Sequence, residues 1–208
     1  MTIDWQNLYQ HRKAVEKSFG SIWQLPIQKR YHQVLAKQGA KGVSVLEVGA
    51  GDRALQKTMQ RYWGDFSYVS CDIDPTYQHE FAFSGDIEGE YDLVAIFEMI
   101  EHVNLEDAAA LLIDCFEHTK PGGKIMLTTP NTFYPPAYLR DATHITPFCY
   151  DELGGLLSLC GFKVTAVCRL YHDSLIKKFL KRIVFYPLFR ILGIDFAHQI
   201  AVVAEKPI

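Results

Sequence analysis

Two short runs of this chain carry residue types that can do chemistry. In Val43-Ser44-Val45-Leu46-Glu47-Val48-Gly49-Ala50-Gly51-Asp52, an apolar stretch breaks into an acid and two close glycines. Glycine tolerates positive φ and lets a bulky ligand approach the backbone. The helix expected from Arg53 to Met59 would turn free N–H groups and the positive end of its dipole toward that ligand. In the second run, Glu98-Met99-Ile100-Glu101-His102, two acids and an imidazole fall at i, i+3 and i+4, which share one face of a helical turn. With His144 from the loop 139–144, Glu98, Glu101 and His102 would offer oxygen and nitrogen donors to magnesium, manganese or another divalent ion. Without an ion, His102 or His144 would act as general base for an acceptor hydroxyl.

Two ligands fit the glycine turn. Gly49-x-Gly51-x-x-Ala54 satisfies the Ala-ending nicotinamide-dinucleotide fingerprint, with Asp72 about twenty residues on, where a ribose-binding acid belongs. A carboxylate beside a pyrophosphate is repelled, however, and Glu47 stands two places before the first glycine. S-adenosylmethionine carries an ammonium as well as a ribose, so an acid at that place suits it.

Four further stretches follow in a telling order: Ser70-Cys71-Asp72-Ile73-Asp74-Pro75, Ser84-Gly85-Asp86-Ile87, Tyr91 to Val103, and Lys120-Pro121-Gly122-Gly123-Lys124 running on to Asn131. Together with the glycine turn, the chain resembles the class I S-adenosylmethionine-dependent methyltransferases from Val43 to Phe162 and again from Gln199. The resemblance implies a Rossmann-like, doubly wound seven-stranded sheet, mostly parallel with an antiparallel last strand. It implies that Glu47 holds the ligand ammonium, that Gly49, Ala50 and Gly51 lie against methionine and ribose, and that Asp72 accepts the ribose hydroxyls. Ile73 would pack beside the adenine, Asp86 and the Ile87 amide would read its edge, and Phe97 would complete the pocket. The Glu-x-x-Glu-His run resembles that of the ubiquinone-pathway O-methyltransferases and, with the later histidine, the metal site of small-RNA 3'-terminal 2'-O-methyltransferases. One departure is Arg53, where the family has a third glycine.

The elements that must position these groups alternate in type. Strands are expected near 43–48, 66–71, 81–83, 91–97, 124–129, 162–169 and 199–204, and helices near Ser21 to Gln38, Leu105 to Phe116 and Tyr150 to Cys160. Such alternation predicts a parallel sheet wound on both faces, with ligands at the carboxyl ends of its strands. Only nine residues (72–80) join the second and third expected strands and seven (84–90) the third and fourth, so the helices there must be stunted. Residues 1–40 are expected to form a helical cap rich in aromatics (Trp5, Tyr9, Phe19, Trp23, Tyr31), which at helical spacing would pack on the domain or, as the resemblance implies, close over cofactor and acceptor. Pro135-Pro136-Ala137-Tyr138 is an acceptor-loop candidate. Residues 171–197, between the last two strands, contain apolar pairs every fourth residue with basic pairs between them, a basic amphipathic helix up to Pro187. It would cover the acceptor pocket, form a dimer contact, pack on its own domain or, through 174–192, touch an anionic membrane surface.

Composition narrows the class. At 208 residues, 49% of them apolar, the chain is expected to form one domain, residues 1–208, around one core. A net charge of -3 offers no broad basic footprint for nucleic acid. Five cysteines without a Cys-x-x-Cys argue against a disulfide frame or zinc site and fit a reducing cytoplasm, with inner-membrane contact as a peripheral option. The start at Met1 lacks the pattern of a signal peptide. The sequence therefore reads as an S-adenosylmethionine-dependent methyltransferase acting on an oxygen of a small-molecule or glycan- or lipid-linked acceptor. Its alternatives are a metal-assisted RNA 2'-O-methyltransferase, an NAD-dependent oxidoreductase, and a cofactor-binding scaffold without catalysis. Oligomeric state is left open.

Overall fold

A computed structural model describes residues 3–208. Met1 and Thr2, where the leader reading begins, and the side chains of Leu175 and Lys178 in the basic stretch lie outside the described residues. Seven strands form one sheet: β1 (Ile27–Gln28), β2 (Ser44–Val48), β3 (Ser67–Cys71), β4 (Tyr91–Phe97), β5 (Thr119–Pro130), β6 (Lys163–Leu170) and β7 (Gln199–Glu205). Their order is β1-β6-β7-β5-β4-β2-β3. All pairs are parallel except those of β7, which runs antiparallel to both β5 and β6. The expected mixed sheet is thus present, but with a different seventh strand. Residues 81–83 make only an isolated bridge from Phe81 to Cys71, and Ile27–Gln28 extends the opposite edge.

The helices are α1 (Trp5–Phe19), α2 (Tyr31–Leu35), α3 (Ala54–Trp63), α4 (Leu105–Glu117), α5 (Pro135–Leu139), α6 (Tyr150–Leu159), α7 (Leu175–Phe179) and α8 (Tyr186–Ile191). The continuous helix expected from Ser21 to Gln38 is broken. Pro26 holds the preceding Leu25 extended at ψ 139°, leaving a short 3-10 turn before it and α2 after it. Between β3 and β4 stands only the 3-10 turn Ser84–Asp86, as the short connections required. Helix α4 starts where Asn104 Oδ1 accepts the Asp107 amide, and acids fill its first turn.

Side chains alternate along each central strand, so the sheet has a core on both faces. Val94, Ile96, Ile125, Leu127, Ile200 and Val202 meet Leu8, Leu112, Leu153 and Leu156 from α1, α4 and α6. Leu93, Ala95, Met126, Ala201 and Val203 meet Leu35, Leu55, Met59 and Trp63 from α2 and α3. Gly155 lets α1 and α6 approach closely: a β-carbon there would lie 2.9 Å from the Arg12 amide nitrogen. Arg12 in turn pairs with Asp151 and Glu152. The five cysteines are unpaired.

A buried ion pair ties the 171–197 insertion to the sheet. Arg169 on β6 reaches Asp195 at 2.7 Å and donates to the carbonyls of Trp23 and Leu25, while Asn131 donates to the second Asp195 oxygen. Removing one member strands a buried charge, which typically costs about 3–5 kcal/mol. Asp195→Ala is therefore expected to lower unfolding free energy by about that amount in urea titrations. A loss below about 1 kcal/mol would place the anchor elsewhere.

Candidate functional site

Three adjacent parallel strands end at the site, and each delivers a carboxylate there. From β2 come Glu47 and the turn 49–53, from β3 Asp72, and just past β4 Glu98. Strand order reverses at β2, which lies between β3 and β4, and such a switch point opens a crevice beyond the strand ends. Three cavities of about 430, 240 and 670 Å³ occupy it. Glu98 lines all three.

The glycine turn is fixed by backbone conformation. Gly49 (φ 72°), Gly51 (φ 47°) and Arg53 (φ 58°) all take left-handed backbone. The Gly49 amide donates to Cys71 O, and the Gly51 amide to Asp72 Oδ2 at 2.7 Å. Asp72 Oδ1 accepts from Asp74 N, so this acid locks the two turns together. Asp52 Oδ1 accepts the Ala54 amide at the start of α3. Arg53 keeps the positive φ that a third glycine would supply, and its guanidinium reaches Glu80 at 3.0 Å and lies over the Tyr68 ring.

Glu47 is buried, 4% exposed, on the wall of the 240 Å³ cavity with Gly49, Ala50, Phe97 and Tyr31. Tyr68 Oη donates to its Oε2. Burial pushes the carboxyl up to about 7, against the pull of the Tyr68 hydrogen bond and the Arg53 charge. Among the described residues it makes no ion pair. Tyr68 was not foreseen. Since Glu47 pairs in register with Ser70, alternation along β3 does put Tyr68 on the same face.

The 430 Å³ cavity continues from Gly49 past Asp72 and exposed Ile73 to a wall of Ala82, Phe83 and Ser84. Asp86 is exposed and outside that lining, Ile87 is buried in the core, and the Ile87 amide donates to Ser84 O. The 670 Å³ cavity is lined by Tyr31, Tyr134, Pro136, Ala137, Arg140, His172, His198 and Gln199. It contains part of the proline loop and one of the five N-terminal aromatics; Trp5 and Tyr9 point to solvent. Gln199, first in β7, is so remote in sequence that no local pattern could announce it.

The acid-histidine run does not form one helical face. Glu98 has φ 49°, Met99 φ -129°, and only Ile100–His102 is a 3-10 turn. This reversal turns Glu98 into the cavities and leaves Glu101, His102 and His144 together, with donor atoms within 4.8 Å of one another. A left-handed glutamate is strained and persists where its surroundings dictate it. The Glu98 carboxyl is raised by burial, against interactions with Gln199 and Thr128 and the nearby His144 and His102. Its Oε1 has no hydrogen-bond partner among the described residues. Glu101 is fully buried and pushed up to about 8 by burial and by Glu98; Thr129 donates to its Oε2, and His144 Nε2 stands 4.0 Å from Oε1. Nδ1 of His102 meets Thr143 O at 3.2 Å and Nδ1 of His144 meets Tyr138 O at 2.7 Å. Neither histidine is among the residues lining the three cavities.

Comparison with known proteins bears on the family and the fold. A family model described as "Methyltransferase domain" matches residues 21–167. A ubiquinone biosynthesis O-methyltransferase of Psychrobacter arcticus is 32% identical over 127 residues, 52% of this chain and 48% of that protein. A probable S-adenosylmethionine-dependent methyltransferase of Mycolicibacterium smegmatis is 36% identical over 94 residues, covering 42% of this chain and 34% of that protein. The chain thus spans about half the length, or less, of the curated relatives it matches. Among solved structures, a SAM-dependent methyltransferase from Archaeoglobus fulgidus superposes with a TM-score of 0.64 at 17% identity, covering 98% of this chain and all of that one. At such identity the likeness concerns the fold.

Two glycines of the turn separate strain from collision. A β-carbon at Gly49 would lie 2.5 Å from Met99 Cγ, whereas one at Gly51 would meet nothing within 4 Å. Both suffer left-handed strain of roughly 1–2 kcal/mol. Gly49→Ala is therefore expected to lower stability more than Gly51→Ala by about 1–3 kcal/mol, the usual cost of overpacking, in thermal or urea denaturation. Equal losses would remove the Met99 contact from the explanation.

Proposed function

The chain belongs to the methyltransferase family, and we propose that it transfers a methyl group from S-adenosylmethionine to an oxygen of a small-molecule or glycan- or lipid-linked acceptor. The observation that carries this reading is Glu47, a buried carboxyl on a cavity wall with a tyrosine partner and, among the described residues, no ion pair. A diphosphate placed there would be repelled, and an ammonium would be drawn in, which disfavours the dinucleotide alternative. In this reading Glu47 holds the amino-acid ammonium, and the backbone of Gly49, Ala50 and Gly51 lies along methionine and ribose. Asp72 has lone pairs left for the ribose hydroxyls, and Ile73 and Phe97 flank the pocket. The adenine end falls at the 82–84 wall, with Asp86 and Ile87 adjoining it.

When bound, S-adenosylmethionine supplies a methyl group on a positively charged sulfur. The protein must then position the acceptor and take its proton. Glu98 stands where cofactor and acceptor cavities meet, and burial raises its proton affinity above the ordinary carboxylate range, as suits a general base. Tyr134, Arg140, His172 and His198 shape the acceptor side. His102 and His144 are the other candidate bases, each with Nδ1 near a carbonyl, and His144 Nε2 faces the carboxylates of Glu101 and Asp141.

The second reading is metal assistance. Glu101, His102 and His144 fit a divalent ion in one respect: carbonyls orient both rings as outer partners of metal-bound histidines do. Two imidazoles and one carboxylate suit manganese better than magnesium, which prefers oxygen. Glu98 would bind the acceptor beside such an ion. An RNA acceptor is disfavoured by the net charge of -3.

Titration calorimetry with S-adenosylmethionine and with NAD tests the cofactor, and transfer of labelled methyl to a panel of phenols and glycans tests the chemistry. S-adenosylmethionine is expected to bind and NAD not. Glu98→Gln is expected to keep that binding and lose roughly 10²–10⁴ in turnover, the usual contribution of a general base. Binding of NAD alone would overturn the proposal. Activity that needs manganese and vanishes in His144→Ala would select the metal reading.

A further inference from the structure

The 171–197 insertion is built inside out. From Ile176 to Leu192 the apolar residues Ile176, Phe179, Leu180, Ile183, Val184, Leu188, Ile191 and Leu192 recur at helical spacing. A helix packed on its own domain buries such a stripe. Here it faces out: Ile176 is 75%, Ile183 63% and Ile191 82% exposed. Nine of the eighteen large apolar side chains exposed among the described residues fall between 176 and 192, a concentration far above scattered surface hydrophobics.

The inward contacts are polar and aromatic. Lys181 pairs with Asp173 at 2.7 Å and lies over the rings of Tyr134 and Tyr171. Arg190 lies 4.6 Å over Trp23, and Phe189 packs beside buried Phe196. These clamps hold α7, the π-helical turn Leu180–Val184 and α8 with the apolar stripe turned away from the domain. Among the described residues no helix is long and apolar enough to cross a membrane.

Charge decides what can cover the stripe. Residues 174–192 contain Lys177, Lys178, Lys181, Arg182 and Arg190 and no acid, although the whole chain has 24 acids against 21 lysines and arginines. Lys177 and Arg182 are exposed beside the stripe. A second copy in a two-fold contact would set this basic segment against itself without any acid to offset it. An anionic bilayer offers both complements, acyl chains for the stripe and headgroup phosphates for the flanking cations. We infer that residues 176–192 dock this protein on an anionic lipid surface, the exposed apolar side chains entering the headgroup region and Lys177 and Arg182 contacting phosphate. Tyr134, under Lys181, and His172 also line the 670 Å³ cavity, so docking brings one rim of that cavity to the lipid interface.

The full chain is to be floated with vesicles of phosphatidylcholine alone and of phosphatidylcholine with about one third phosphatidylglycerol. Strong flotation only with the anionic vesicles, weakened in about 0.5 M salt, is expected. Phe179→Asp with Ile183→Asp and Ile191→Asp, and separately Lys177→Glu with Arg182→Glu, should each reduce the bound fraction about tenfold while circular dichroism is unchanged. These side chains are exposed, so the fold does not depend on them. Failure of the wild-type chain to float with anionic vesicles overturns the inference. So does a dimer in sedimentation velocity that the triple aspartate variant dissociates, with no vesicle binding by either protein.

Discussion

One constraint organises the molecule: a carboxylate, Glu47, is held out of water at the carboxyl end of a central strand with a single tyrosine hydroxyl as partner. Isolated burial of this kind is costly, and the group answers by retaining a proton up to about pH 7. The surroundings keep it there. Tyr68 is fixed beneath Arg53, Arg53 is fixed by Glu80, and Glu80 accepts the amide and hydroxyl of Ser70 one strand away. An arginine where the family has a glycine is thus accommodated in left-handed backbone and recruited to orient the acid's partner.

The rest of the crevice follows from topology. Because β3 and β4 flank β2 on opposite sides, Asp72 and Glu98 must emerge on either side of the Gly49 turn. Asp72 spends one lone pair on each of two turn amides, which fixes the two turns against each other. Glu98 is twisted into left-handed backbone at the point where all three cavities meet. The insertion between β6 and β7 is anchored by the Arg169–Asp195 pair and by stacked cations. That arrangement lets an apolar surface persist outside a complete core.

Much of this was legible in the sequence where local chemistry is decisive. The strand–glycine–helix unit, the antiparallel last strand, helices α4 and α6 and the stunted β3–β4 connection follow from spacing, caps and glycines, or from resemblance. Three features were hidden for identifiable reasons. Pro26 divides what apolar spacing presents as one helix. The Glu98-to-His102 run has helical spacing, yet a backbone reversal at Glu98 separates the residues that a helix would unite, and φ leaves no trace in composition. Tyr68 and Gln199 reach the site through strand register and long-range pairing, which single-sequence periodicity cannot supply.

The central claim is that Glu47 is kept for a cation, and its own ionisation reports this most directly. Carbon-13 NMR of the Glu47 carboxyl, assigned through Glu47→Gln, is to be followed against pH with and without saturating S-adenosylmethionine. The free protein should titrate near 7, so the carboxylate exists above that pH and the neutral acid below it. An ammonium held against it favours the ionised form, so the bound midpoint should fall toward the ordinary carboxylate range, with a proton released near neutrality and weaker binding as pH drops below 7. A midpoint unchanged by bound S-adenosylmethionine would contradict the account.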